Sequence, residues 1–165
     1  MSGLAIGAGH HLNKGIAAVI FIFFATILVV IFSGNTGPDF IADIFTKKPI
    51  YIGNATFRVW VAQTDSERMA GLSDKYEMSG KGGMLFVFES DGLYGVSTAD
   101  MHFPIDIVWL SKEGLVVYAE TDVRPGREYP VGPTAPARYV LLVNAGTVDE
   151  YHIDAETHVN LSNVR

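Results

Sequence analysis

Residues 15–32 read GIAAVIFIFFATILVVIF, a run without a charge, an amide or a proline. As a helix rising ~1.5 Å per residue it is about 27 Å long, close to a hydrocarbon core of roughly 30 Å. A helix apolar on every side belongs in lipid or in the middle of a large core, and a chain of 165 residues builds only one modest core. The run therefore predicts a membrane span. Cleavable signals have a shorter apolar stretch, ~7–15 residues, followed by small residues at the cut. Here the run ends in Ile31-Phe32-Ser33-Gly34-Asn35, with no small-x-small pair, so it reads as an uncleaved anchor. Lys14 precedes it and Lys47 and Lys48 follow, so the basic residues alone set no orientation. A short tail before an early span is the form of a signal anchor, which leaves the rest of the chain on the extracytoplasmic side of the cell membrane.

This divides the chain into a short tail (1–14), a single transmembrane anchor (15–33), a linker (34–54) and a β-rich domain (55–165). The linker is marked by Gly34, Asn35, Gly37, Pro38 and Pro49, around a short apolar group at 40–45 suited to the membrane surface. The sequence contains no cysteine, which removes disulfides, thiolate metal sites, cysteine nucleophiles and lipidated cysteines. Its net charge is −6, with the basic residues spread along the sequence and not clustered. Phosphate neutralisation needs a positive face, so nucleic acid is excluded as a partner at this level of reading.

In residues 56–62, Phe57, Val59 and Val61 alternate with Arg58 and Trp60, the pattern of a strand with one buried face. Thr64-Asp65-Ser66-Glu67 then forms a capping box, and Gly71 stops the two-turn helix that it starts. Further strands are predicted at 84–89, 105–111, 115–121 and 138–144, with a weaker one at 157–161. Lys112-Glu113-Gly114 makes a tight hairpin between the second and third of these. Residues 122–137 carry Pro125, Gly126, Pro130, Gly132, Pro133 and Pro136 and read as a long surface loop.

The blocks ERMAGLSDKY (67–76), GGMLFVF (82–88), HFPIDIVWL (102–110) and ARYVLLVNAG (137–146), in that order, resemble the domain of unknown function 192 family of exported or membrane-anchored prokaryotic proteins. The resemblance covers residues 55–161. It implies a compact, mainly β (α+β) fold of barrel or sandwich type with a short helix, and it implies no established activity. Pro104, Asp106, Arg138, Asn144 and Gly146 match the family pattern. The family's aromatic, Trp, Met, basic, Asn, Thr run is replaced by Val96-Ser97-Thr98-Ala99-Asp100-Met101, and its Gly-Asp near the carboxyl terminus by Ala155-Glu156. A ligand that the family holds through that run would be affected in this member.

Asp106 lies in an otherwise apolar strand and needs a partner there; Arg138, at the start of another strand, is the natural one. Such a pair is more often structural than chemical. Asp100, His102, Asp106, Arg138 and Asn144 are the candidates for a binding pocket or for this structural pair. If extended, residues 152–158 would place His152, Asp154, Glu156 and His158 on one face, but their spacing is too long for one ion, so no metal is expected. No cofactor is implied. Ser97, His102 and Asp106 lack a nucleophile elbow, which argues against a hydrolase. The expected function is a non-catalytic, membrane-anchored extracytoplasmic module that binds a small molecule, a glycan or an envelope protein. The alternatives are an enzyme using Asp100, His102 and Asp106, with or without a metal, and a structural subunit of a membrane assembly.

Overall fold

The computed structural model of the protein describes residues 47–127 and 129–164. The predicted tail and anchor and most of the linker lie outside these residues; among the described residues no helix is long and apolar enough to cross a membrane. The elements are β1 (Lys48–Ile52), β2 (Ala55–Ala62), α1 (Asp65–Ala70), β3 (Gly82–Gly92), β4 (Ile105–Leu110), β5 (Val116–Val123), β6 (Ala137–Asn144), α2 (Thr147–Glu150) and β7 (Val159–Asn160). The strands form one sheet in the order β5-β4-β6-β3-β2-β1-β7. Only β2 and β3 run parallel, and their crossover carries α1.

The sheet curls into a half-barrel, so the fold is mainly β with short helices, as the sequence predicts. At one rim its two ends meet: Leu115 bridges His158, the Val116 N–H donates to the Thr157 carbonyl at 3.1 Å, and the Val159 N–H donates to the Gly114 carbonyl at 2.8 Å. This meeting requires glycine at 114. Its φ is +97°, and a Cβ there would stand 2.4 Å from the Val159 oxygen.

Both faces of the sheet are buried, which is why β4 is apolar almost throughout. On one face Phe57, Val59, Leu85, Val108, Leu141 and Val143 pack with α2 and the carboxyl-terminal segment through Val148, Ile153, Val159 and Leu161. On the other, Phe86, Ile107, Trp109, Val140 and Leu142 pack with Leu72 behind α1, with Val96 and Met101, and with Val131 of the long loop. These are called the α2 face and the α1 face below.

Three features depart from the sequence reading. Residues 48–52, read as linker, form β1, whose Ile50 and Ile52 are buried opposite Phe57 and Ala55 of β2. Helix α2 was not predicted. Residues 152–158 do not extend: His152 has φ +50°, and the Asp154 carboxylate accepts the Glu156 N–H at 3.0 Å and the Thr157 hydroxyl at 2.9 Å, closing a turn. The expected single face of His152, Asp154, Glu156 and His158 is thus absent, because the short polar side chains bond their own backbone in preference to a ladder.

Candidate functional site

Helix α1 is set by its cap. The Glu67 carboxylate accepts the Gln63 and Thr64 N–H groups at 2.8 and 2.9 Å, while the Thr64 hydroxyl accepts the Glu67 N–H at 3.2 Å. The Thr64 and Gln63 backbone bonds, followed by the Thr64 hydroxyl, hold the Glu67 carboxyl below its ordinary pKa. Arg68 leaves the same helix, donates to the Gln63 and Val87 carbonyls at 2.6 Å each, and lies 4.7 Å from the centroid of Phe88. It ties the helix to β3 just before the ladder with β6 becomes irregular after Val87.

Facing α1 across the sheet is the segment 93–97, pinned from three sides. The Trp109 indole donates to the Tyr94 carbonyl at 2.7 Å, Val96 and Val131 exchange backbone bonds at 2.7 and 2.9 Å, and the Tyr94 ring stacks on Phe88 with centroids 3.5 Å apart. The next residue, Thr98, is 1% exposed and donates to the Arg124 carbonyl at 2.9 Å. Between the two walls opens a cleft of about 670 Å³ with Leu72, Phe86, Met101 and Leu142 beneath it, Arg68 and Ser73 on one side and Ser97 on the other. Its volume lies in the range of small-ligand sites, and its walls are fixed without a ligand. Met69 and Leu93, 85% and 65% exposed, stand at its edge.

The residues singled out in the sequence are placed elsewhere. Asp106 is 0% exposed and does not pair with Arg138. Its two oxygens accept the Asp122 N–H at 2.9 Å and the Val148 N–H at 2.8 Å. Val148 lies in the first turn of α2, whose N-cap Gly146 has no side chain to offer, so Asp106 caps that helix from a neighbouring strand. Arg138 pairs instead with Asp91 at 2.8 Å, on the partly exposed continuation of β3. The expected buried ion pair is thus replaced by a carboxylate held by backbone donors, which satisfies its charge at no cost in burying a cation.

Asn144 donates to the Met78 and Ser79 carbonyls at 3.2 and 2.9 Å, anchoring the turn before β3. His102 is exposed and stacks on Tyr76 at 4.3 Å; Asp100 is exposed on the turn after Thr98. None of the five candidates lines the cleft, although Asn144 borders a smaller hollow of about 260 Å³ beside Tyr76 and Pro104. Among the described residues no group of three or more His, Asp or Glu side chains is gathered as a metal site.

Sequence reasoning passed over Arg68, Leu72 and Phe86 as site residues, and weighed Ser97 only beside His102 and Asp106 and as a departure from the family pattern. A signal was present, because the ERMAGL block supplies one wall and the divergent run at 96–101 supplies the other. Ser97 stands on that wall at the position where the family pattern carries Trp.

The comparisons agree with this fold. The family model described as an uncharacterized ACR, DUF192, matches residues 49–161. A solved protein of unknown function from Novosphingobium aromaticivorans is similar over 69% of this chain and 84% of its own, at 23% identity and a TM-score of 0.66. A putative transcription regulator from Sinorhizobium meliloti is similar over 69% of this chain and 92% of its own, at 24% identity and a TM-score of 0.66. At such identities the likeness establishes the fold alone. No curated protein matches the chain.

Proposed function

The chain belongs to the domain of unknown function 192 family, and since that membership brings no activity with it, we propose a function from the cleft: a membrane-anchored, extracytoplasmic module that binds an apolar ligand without transforming it. The observation that carries this reading is the cleft of about 670 Å³ between α1 and residues 93–97, floored by Leu72, Phe86, Met101 and Leu142. Among the described residues its one cation is already engaged. Arg68, the cation at its side, spends its donors on two carbonyls and on Asp65. Apolar area removed from water therefore supplies the affinity, at roughly 25 cal/mol per Å² before the costs of association. The anchor at 15–33 keeps the half-barrel near the membrane, where apolar ligands partition.

An enzyme acting through Asp100, His102 and Asp106 has less support. The Asp106 carboxylate is sealed beneath α2 with both oxygens occupied, and so has no surface from which to reach a substrate.

The test uses Ser97→Trp, which restores the family's side chain on the cleft wall and fills the space in front of it. Titration of the full-length protein with an environment-sensitive apolar dye is expected to give one saturable site, abolished by Ser97→Trp at unchanged melting temperature. Equal dye binding by both proteins would sink the cleft as the site. Mass spectrometry of the organic extract from protein purified out of its own membrane then identifies the resident compound.

A further inference from the structure

The sequence shows no basic cluster, yet folding assembles one. From residue 44 to residue 64 there is no Asp or Glu, in a chain of net charge −6. Within it Lys48–Ile52 and Ala55–Ala62 form the β1–β2 hairpin. In its register Pro49 lies opposite Arg58 and Tyr51 opposite Thr56, so Lys47, Pro49 and Tyr51 share the α1 face with Thr56, Arg58 and Trp60. The Lys47 ammonium stands 3.6 Å from the centroid of Trp60. From the turn after α1, Lys75 reaches the same ring at 5.4 Å while also pairing with Asp74 at 3.1 Å. Arg58 is exposed two residues along the strand, and Lys48 is exposed at the start of β1. Tyr51 is 38% exposed and Trp60 half-buried.

We propose that this face of the β1–β2 hairpin docks on anionic lipid headgroups, with Lys47, Arg58 and Lys75 as the charges and Trp60 and Tyr51 as the interfacial side chains. Cations around a half-buried indole and a partly exposed phenol are the combination that suits the headgroup layer, where amphipathic rings settle and Lys/Arg meet phosphate. The place in the chain suits it as well. Residues 33–46 separate the apolar run from the hairpin, and even fully extended they reach only about 50 Å at ~3.3–3.6 Å per residue. The hairpin therefore stays within reach of that surface, and the inference rests to that extent on reading residues 15–33 as an anchor. Trp60 also packs against the apolar cluster that floors the cleft, so docking through it brings the cleft towards the headgroups.

Trp60 is its own reporter, because the chain has two tryptophans and the other, Trp109, is 0% exposed. Full-length protein is reconstituted into zwitterionic vesicles, or into vesicles with about one third phosphatidylglycerol, each doped with headgroup spin-labelled lipid. Screening falls off over ~8 Å at physiological salt, so contact quenching of Trp60 should appear in the anionic vesicles and vanish at high salt. Arg58→Gln with Lys75→Gln should lower the docked-to-undocked ratio about 25-fold, at about fivefold per charge, while Arg124→Gln, an exposed cation paired with Asp122, changes nothing. Trp60 unquenched in anionic vesicles, or quenched equally in neutral ones, overturns the proposal. So does protection of Trp60 by duplex DNA but not by anionic vesicles. Flotation of the protein with neutral vesicles in high salt is scored separately: its failure counts against the anchor, whatever Trp60 does.

Discussion

The α1 and α2 faces of the half-barrel are lined by alternate residues of the same strands, but they are covered in different ways. Over the α2 face the chain returns as α2 and the carboxyl-terminal segment, and Val148, Ile153, Val159 and Leu161 fill it. Asp106 then ties that cover down from beneath, with one oxygen on α2 and one on the Asp122 N–H. Over the α1 face the cover comes in two pieces, α1 and the segment 93–97, each anchored to the sheet and separated by the cleft. The difference teaches where stability and binding are located in this protein. One face is covered by a continuous apolar packing, and the other is held open by polar ties that fix its walls.

The sharpest way to break the contrast is to remove the tie on the closed face. Asp106→Ala leaves the buried Val148 N–H and the part-buried Asp122 N–H unsatisfied, at about 1–3 kcal/mol for the buried one and less for the other, so a loss of about 2–4 kcal/mol is expected in chemical denaturation. Asp106→Asn retains one acceptor, turns an amide donor towards the other N–H, and should fall a little short of that. A melting curve unchanged by either substitution would show that α2 holds without its cap.

A matched pair of truncations compares the faces directly. Leu141→Ala, on the α2 face, should cost about 3–4 kcal/mol because its neighbours cannot collapse into the void. Leu72→Ala borders space that is already open, so the cost should stay near 2 kcal/mol and the cleft should widen. Equal costs would mean that the cleft closes in solution.

The surface pair of Arg138 with Asp91 should matter far less. Both partners are partly exposed, and Arg138→Ala is expected to cost under about 1 kcal/mol by denaturant titration. A cost of several kcal/mol would restore Arg138 to the buried role that the sequence suggests for it.

The smallest effect is a pH dependence at the cleft wall. Glu67 titrates below its ordinary pKa in the folded chain, so its contribution to the α1 cap is full above the ordinary carboxylate value and is lost as pH falls through the lowered one. The protection of the Thr64 and Gln63 amides against exchange, taken relative to the intrinsic rate at each pH, should fall in acid, and Glu67→Gln, which keeps the box without the charge, should flatten that profile. Acid-insensitive protection in the native chain would remove the carboxylate from the account of how the wall is held.

Much of this was legible without coordinates. The capping box at Thr64 and Glu67, the Gly71 stop and the five main strands follow from local periodicity and local hydrogen bonding, which depend on residues a few positions apart. β1 was hidden because Pro49 and the Gly53-Asn54 turn flank only two inward apolar residues, and the strand exists through its pairing with β2. The candidate site was half visible: its two walls are blocks that the family resemblance marks, but the polar residues favoured as its centre turned out to hold backbone in place. Asn144 fastens a turn and Asp106 caps a helix, tasks that bring in residues dozens of positions away.

The sequence by itself determined which segments are apolar, where chain direction changes, that cysteine chemistry is absent, and that an anchor-like run precedes a β domain. These are properties of composition and short-range order. Tertiary structure alone decided that Asp106 answers to Val148 and Asp122 and not to Arg138, that α1 and residues 93–97 face each other across a gap, and that scattered lysines and an arginine share one face with Trp60. Each of these depends on strand order and register, which set the neighbours of a side chain across the sheet. A register shift of a single residue would move every side chain of a strand to the other face, so pairing fixes the contents of each face where the local pattern supplies only the alternation.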